Sequence, residues 1–133
     1  MRKGNVWPIA SLVAVVALAA TACSSSSSSA SSGSSPQIIT GDASGASTFN
    51  VSTNNFFFSP NQISGTAGEK VTFHITNSTD TTHTFLIDAQ QINDTIAAGQ
   101  TADIQVTFPS SGTVQFYCSI HKSLGMIGEL TVA

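Results

Sequence analysis

From residue 70 onward, apolar and polar side chains alternate in short runs separated by turn formers. In "KVTFHITN" (70–77), Val71, Phe73 and Ile75 share one face, and Thr72, His74 and Thr76 the other. "TADIQVTF" (101–108) repeats the pattern with Ala102, Ile104, Val106 and Phe108, while "HTFLID" and "GTVQFYC" are short, β-branched and aromatic. A period of two marks a half-buried strand. Turn signals lie between the runs: Ser59-Pro60-Asn61, Gly65 and Gly68, Asn77 to Asp80, Ala98-Gly99, and Pro109 to Gly112. No segment after residue 47 carries a long helical period, so the pattern predicts an all-β, antiparallel sandwich or barrel.

The N-terminus follows a different rule. "MRKGNVWPIASLVAVVALAATAC" places Arg2 and Lys3 before an apolar run from Val6 to Ala20, and small residues then lead into Cys23. This is the pattern of a secretory signal peptide over 1–22. The run is short for a span of about 20 residues, which leaves a retained transmembrane anchor as the alternative. Cys23 after small residues resembles a bacterial lipobox, with Ala20 where Leu is usual. That resemblance implies lipidation of Cys23 and anchoring at the outer face of the cell membrane or the periplasmic membrane face. The Ser-rich run 24–36 reads as a flexible tether, continued by polar residues to 47, with the folded domain at 48–133.

At 133 residues and 41% hydrophobic content, the chain suits one domain with a real core. With Arg2 and Lys3 in the leader, Lys70 and Lys122 stand against seven acidic residues. An acidic domain argues against nucleic acid and against a basic face for anionic lipid. An exported protein with two cysteines ordinarily forms a disulfide. Here Cys23 belongs to the lipobox, which leaves Cys118 a free thiol, and metal coordination is one way to occupy it.

The stretch "QFYCSIHKSLGMIGELTVA" (115–133) holds Cys118, His121 and Met126. By parity Val114, Phe116 and Cys118 share an inward face, as do His83, Phe85 and Ile87. Four donors, His83, Cys118, His121 and Met126, can therefore meet at one end of the sandwich. Two imidazoles and a thiolate suit copper in either oxidation state, and a weak axial thioether favours Cu(I). Zinc gains little from a thioether.

"YCSIHKSLGMIGELTV" resembles the copper loop of the cupredoxins, the blue copper proteins, with the C-x2-H-x4-M spacing of plastocyanin and pseudoazurin. "FFFSPNQISGTAGEKVTFHITNSTDTTHTFLI" resembles the earlier strands of the same family. The likeness covers nearly all of 48–133 and implies a Greek-key β-sandwich holding one copper. It makes His83, Cys118 and His121 equatorial ligands and Met126 the axial one. It further implies that His121 is the electron exit, rimmed by Ile120, Leu124 and Ile127, on which redox partners dock weakly. Two positions depart from the pattern: Ile120 stands where Pro is usual, and Thr84 where Asn is common. Thr84 is expected to offer its backbone N–H to the Cys118 sulfur and its hydroxyl to Ser119.

Other residues read more plainly. His74 lies on the polar face, and Phe56, Phe57 and Phe58 read as core and edge packing with at least one facing out. Tyr117 reads as a half-buried strand aromatic in preference to a second electron route. Asn77-Ser78-Thr79 and Asn93-Asp94-Thr95 fit a glycosylation pattern that means little in a bacterial lipoprotein. The reading is a monomeric, membrane-anchored one-electron carrier between redox proteins. Its alternative is Cu(I) buffering or delivery. Enzyme chemistry is not expected, because a copper enzyme needs an open coordination position and no nucleophile and base pair is evident.

Overall fold

A computed structural model describes residues 37–133. The signal peptide read over 1–22, Cys23 and the Ser-rich run to Pro36 lie outside the described residues. The strands are β1 (Thr40–Asp42), β2 (Thr48–Asn54), β3 (Phe57–Ser59), β4 (Gln62–Gly65), β5 (Lys70–Asn77), β6 (His83–Ile87), β7 (Ile92–Ile96), β8 (Thr101–Thr107), β9 (Thr113–Tyr117) and β10 (Ile127–Val132). They form a six-stranded sheet ordered β1-β4-β10-β9-β6-β7 and a four-stranded sheet ordered β3-β2-β5-β8. Among the described residues no helix is long and apolar enough to cross a membrane.

The alternation in β5 and β8 is what builds the core. Val71, Phe73, Ile75, Ile104 and Val106 are buried. The two inner faces meet in an aromatic cluster, with Phe58 of β3 at 5.1 Å from Phe116 of β9 and 5.8 Å from Phe85 of β6. Phe73 of β5 joins at 6.1 Å from Phe85. Offset and edge contacts of this kind add about 0.5–1.5 kcal/mol per pair beyond the area they bury. Small residues admit the rings: a Cβ on Gly65 would lie 2.6 Å from the Phe108 ring.

Three features differ from the alternation-based expectation. The sheets are mixed, since β4 pairs in parallel with both β1 and β10, and β2 in parallel with β5. Parallel neighbours need crossing connections, and the face a residue occupies carries no information about the direction of the strand beside it. The segment 37–47, whose polarity placed it with the tether, contributes β1 and the fully buried Ala43. Short backbone contacts hold it there, including Ala43 N–H to Ser64 O at 2.8 Å. Finally, β6 does not alternate in burial, because all five of its residues are buried between β9 and β7.

Candidate metal centre

His83 opens β6, Cys118 follows directly on β9, and the two strands are neighbours with Leu86 opposite Tyr117. His121 and Met126 lie in the loop from β9 to β10. Hydrogen bonds within that loop set its shape. Cys118 N–H donates to Met126 O at 3.1 Å, and Met126 N–H donates to His121 O at 3.3 Å. Between them a 3-10 turn, Lys122–Leu124, ends at Gly125 with φ +88°, a left-handed conformation suited to glycine.

One ligand atom from each of His83, Cys118 and His121 lies within 4.8 Å of the others. Cys118 Sγ is 3.6 Å from His121 Nδ1. His83, Cys118 and Met126 are fully buried, and His121 is 9% exposed. Ile120 and Leu124 are exposed beside it, and Ile127 is half-buried.

The hydrogen bonds around His83 fix its tautomer. Its Nε2 lies 3.2 Å from Asn55 Oδ1, an atom that only accepts. It also lies 3.1 Å from Thr79 Oγ1, whose single hydrogen is directed to Asn77 Oδ1 at 2.7 Å. Nε2 must therefore carry the proton, and Nδ1 keeps a lone pair. That Nδ1 is buried and has no hydrogen-bond partner. Leaving such a group unpaired costs about 1–3 kcal/mol, which a ligand at the lone pair would offset. Burial, with the neighbouring His121 as a smaller contribution, pushes the His83 pKa below its ordinary value and keeps the ring neutral, the form that binds metal.

Around the sulfur, Thr84 N–H donates to Cys118 Sγ at 3.3 Å, and the Thr84 hydroxyl lies 3.5 Å away. The same hydroxyl accepts from Ser119 N–H at 2.8 Å and lies 3.0 Å from Ser119 Oγ. Donors to a metal-bound thiolate stabilise its charge and tune the potential of the site. A buried thiol, two imidazoles and an adjacent buried thioether form a soft donor set that fits one copper ion.

Residues to which the sequence reading gave no part in the centre also touch it. The Phe56 ring lies 4.4 Å from that of His121 and 6.4 Å from that of His83. Asn55 and Thr79 hold His83, as above. The polar run "NSTDTTH" ahead of His83 is the one local signal that side chains there would cap the imidazole.

On the flank, the Tyr117 hydroxyl donates to Asp88 Oδ1 at 2.9 Å and lies 3.1 Å from Oδ2, while Lys122 Nζ sits 3.9 Å above the ring. Asp88 holds the phenolic proton and raises the Tyr117 pKa, burial adding to the effect. Tyr117 is the chain's single tyrosine, so a phenolate absorbance titration reads it directly. The midpoint should exceed the ordinary value of about 10 and fall in Asp88→Ala; equal midpoints would remove Asp88 as the cause. His74 pairs with Asp103 at 2.6 Å on the exposed face of β5 and β8.

The cupredoxin-like domain family matches residues 12–132 of this chain, which belongs to that family. Plastocyanin from Capsella bursa-pastoris is 34% identical over 89 residues, which cover 56% of this chain and 86% of that protein. Among solved structures, reduced auracyanin from Roseiflexus castenholzii superposes with a TM-score of 0.55 at 20% identity, covering 66% of this chain and 98% of that one. The metal-binding domain of the Streptococcus pneumoniae Cu(I)-exporting ATPase, with Cu(I), gives 0.58 at 16% identity, covering 73% of this chain and 96% of that one. These two structures share the fold.

Proposed function

We propose that this protein is an extracytoplasmic blue copper protein that carries single electrons between redox partners. His83, Cys118, His121 and Met126 would hold one copper ion. The observation that carries the reading is the buried, unpartnered Nδ1 of His83 in the same cluster as Cys118 Sγ and His121 Nδ1. Copper held there supplies a one-electron couple between Cu(II) and Cu(I). The chain's part is to present the Nδ1 lone pair of His83, to donate Thr84 N–H to the sulfur, and to keep water from the fully buried His83, Cys118 and Met126. His121, 9% exposed, is the outlet for electrons. Ile120 and Leu124, 52% and 60% exposed, with half-buried Ile127, form the apolar rim on which partners dock briefly. Cys23 would anchor the protein by lipid to the outer face of the membrane, with the Ser-rich run 24–36 as its tether.

Electron carriage and Cu(I) delivery make opposite demands on the same ligands. In a mixture of oxidised and reduced full-length protein, electron self-exchange read from NMR line broadening should be fast. Cu(I) should meanwhile stay bound for hours against a colorimetric chelator. Copper that leaves faster than electrons exchange would replace the carrier reading with delivery.

A further inference from the structure

Every proposed ligand lies on the six-stranded sheet or the loop it carries, whereas Asn55 and Phe56 form the turn between β2 and β3 of the four-stranded sheet. One two-residue turn touches both imidazoles. Asn55 Oδ1 is 3.2 Å from His83 Nε2, and the Phe56 ring is 4.4 Å from the His121 ring at an interplanar angle of 39°. We propose that Asn55 and Phe56 are positioning residues, a bracket reaching from the opposite sheet to fix the two imidazoles, so that neither ring turns or leaves when the charge of the centre changes. The proposal rests on the copper reading above.

The two halves of the bracket act differently. Asn55 accepts the Nε2 proton of His83 and so holds the Nδ1 lone pair in place, a device by which partners of metal-binding histidines orient their rings. Thr79 shares that proton at 3.1 Å, and Asn77 fixes Thr79 in turn. Phe56 is 38% exposed. An aromatic ring in that position has little packing value for the interior. It does cover a ring that is otherwise flanked by the exposed Ile120 and Lys122. Phe56 therefore stands between His121 and solvent, in the path along which that ligand would swing out to release the ion.

The test uses the full-length chain in metal-free and copper-loaded forms. In the metal-free protein, imidazole nitrogen shifts from NMR should report one tautomer for His83, protonated at Nε2. Thr79→Val should preserve it, because Asn55 still accepts. Adding Asn55→Ala should draw the two nitrogen shifts together, and adding Asn55→Asp should restore their separation. In the copper-loaded protein, Phe56→Leu should speed release of Cu(I) to a chelator at least fivefold, while Phe56→Tyr stays within twofold of wild type. Both residues are exposed, so thermal melting should change little and a folding defect would be visible as such. His83 shifts unmoved by the Thr79→Val, Asn55→Ala pair would overturn the role of Asn55. Release from Phe56→Leu at the wild-type rate would overturn that of Phe56. Should wild-type protein fail to bind copper through Cys118, the copper reading falls, and the metal-free measurement still decides the half that concerns Asn55.

Discussion

Cys118→Ser is expected to abolish the intense visible absorption of the Cu(II)-loaded protein and to replace narrow copper hyperfine splitting in the EPR spectrum with an ordinary tetragonal pattern. Both features require a thiolate in the coordination plane, and a serine hydroxyl neither ionises near neutral pH nor offers a soft donor. Copper affinity should fall by more than the roughly 10–100-fold that accompanies loss of an outer hydrogen-bond partner, since here a ligand itself is lost. The fold should survive: Cys118 contributes a small volume to the core, and the oxygen can still accept from Thr84 N–H. A blue band that persists in Cys118→Ser would place the copper elsewhere and sink the assignment.

Gly128→Ala is expected to be the most damaging single methyl addition in the domain. Gly128 lies opposite Phe116 in the ladder between β9 and β10. A Cβ there would stand 2.2 Å from Phe116 Cζ and 2.7 Å from the backbone oxygen of Asn61. The ring has no room to yield, being fully buried and packed against Phe58 at 5.1 Å and Phe85 at 5.2 Å. Overpacking of this sort costs about 1–3 kcal/mol. With about 4–8 °C per kcal/mol in a domain of this size, the melting temperature of the metal-free protein should drop by roughly 4–24 °C. A change below 2 °C would mean that the cluster repacks freely.

The sequence made the interior legible because β5 and β8 alternate without interruption, so that Phe73, Ile75, Ile104 and Val106 could be assigned inward from their spacing alone. The meeting of His83, Cys118 and His121 was also readable, since Cys118, His121 and Met126 lie within nine residues of one another. What surrounds them was less so. Asn55 lies 28 positions before His83, and no periodicity announces a contact made across the sandwich. Asn77 fits a glycosylation pattern, yet its amide donates to Thr81 O, Ile96 O and Ala97 O at 2.8, 2.9 and 3.1 Å. It closes the loop that brings Thr79 to His83. The strand β1 was hidden by its polar composition, because backbone pairing with β4 holds it more than side-chain burial does.

The unbroken burial of β6 sets an order on how the centre comes apart. His83 begins a strand that lies between β9 and β7 and whose five residues are all buried, the kind of segment that opens late. Cys118, His121 and Met126 belong to a loop whose own hydrogen bonds run from one donor residue to the next. Loosening any one of them loosens the others. The proposed centre thus joins one histidine set in the interior of a sheet to three residues tied to one another along a single loop.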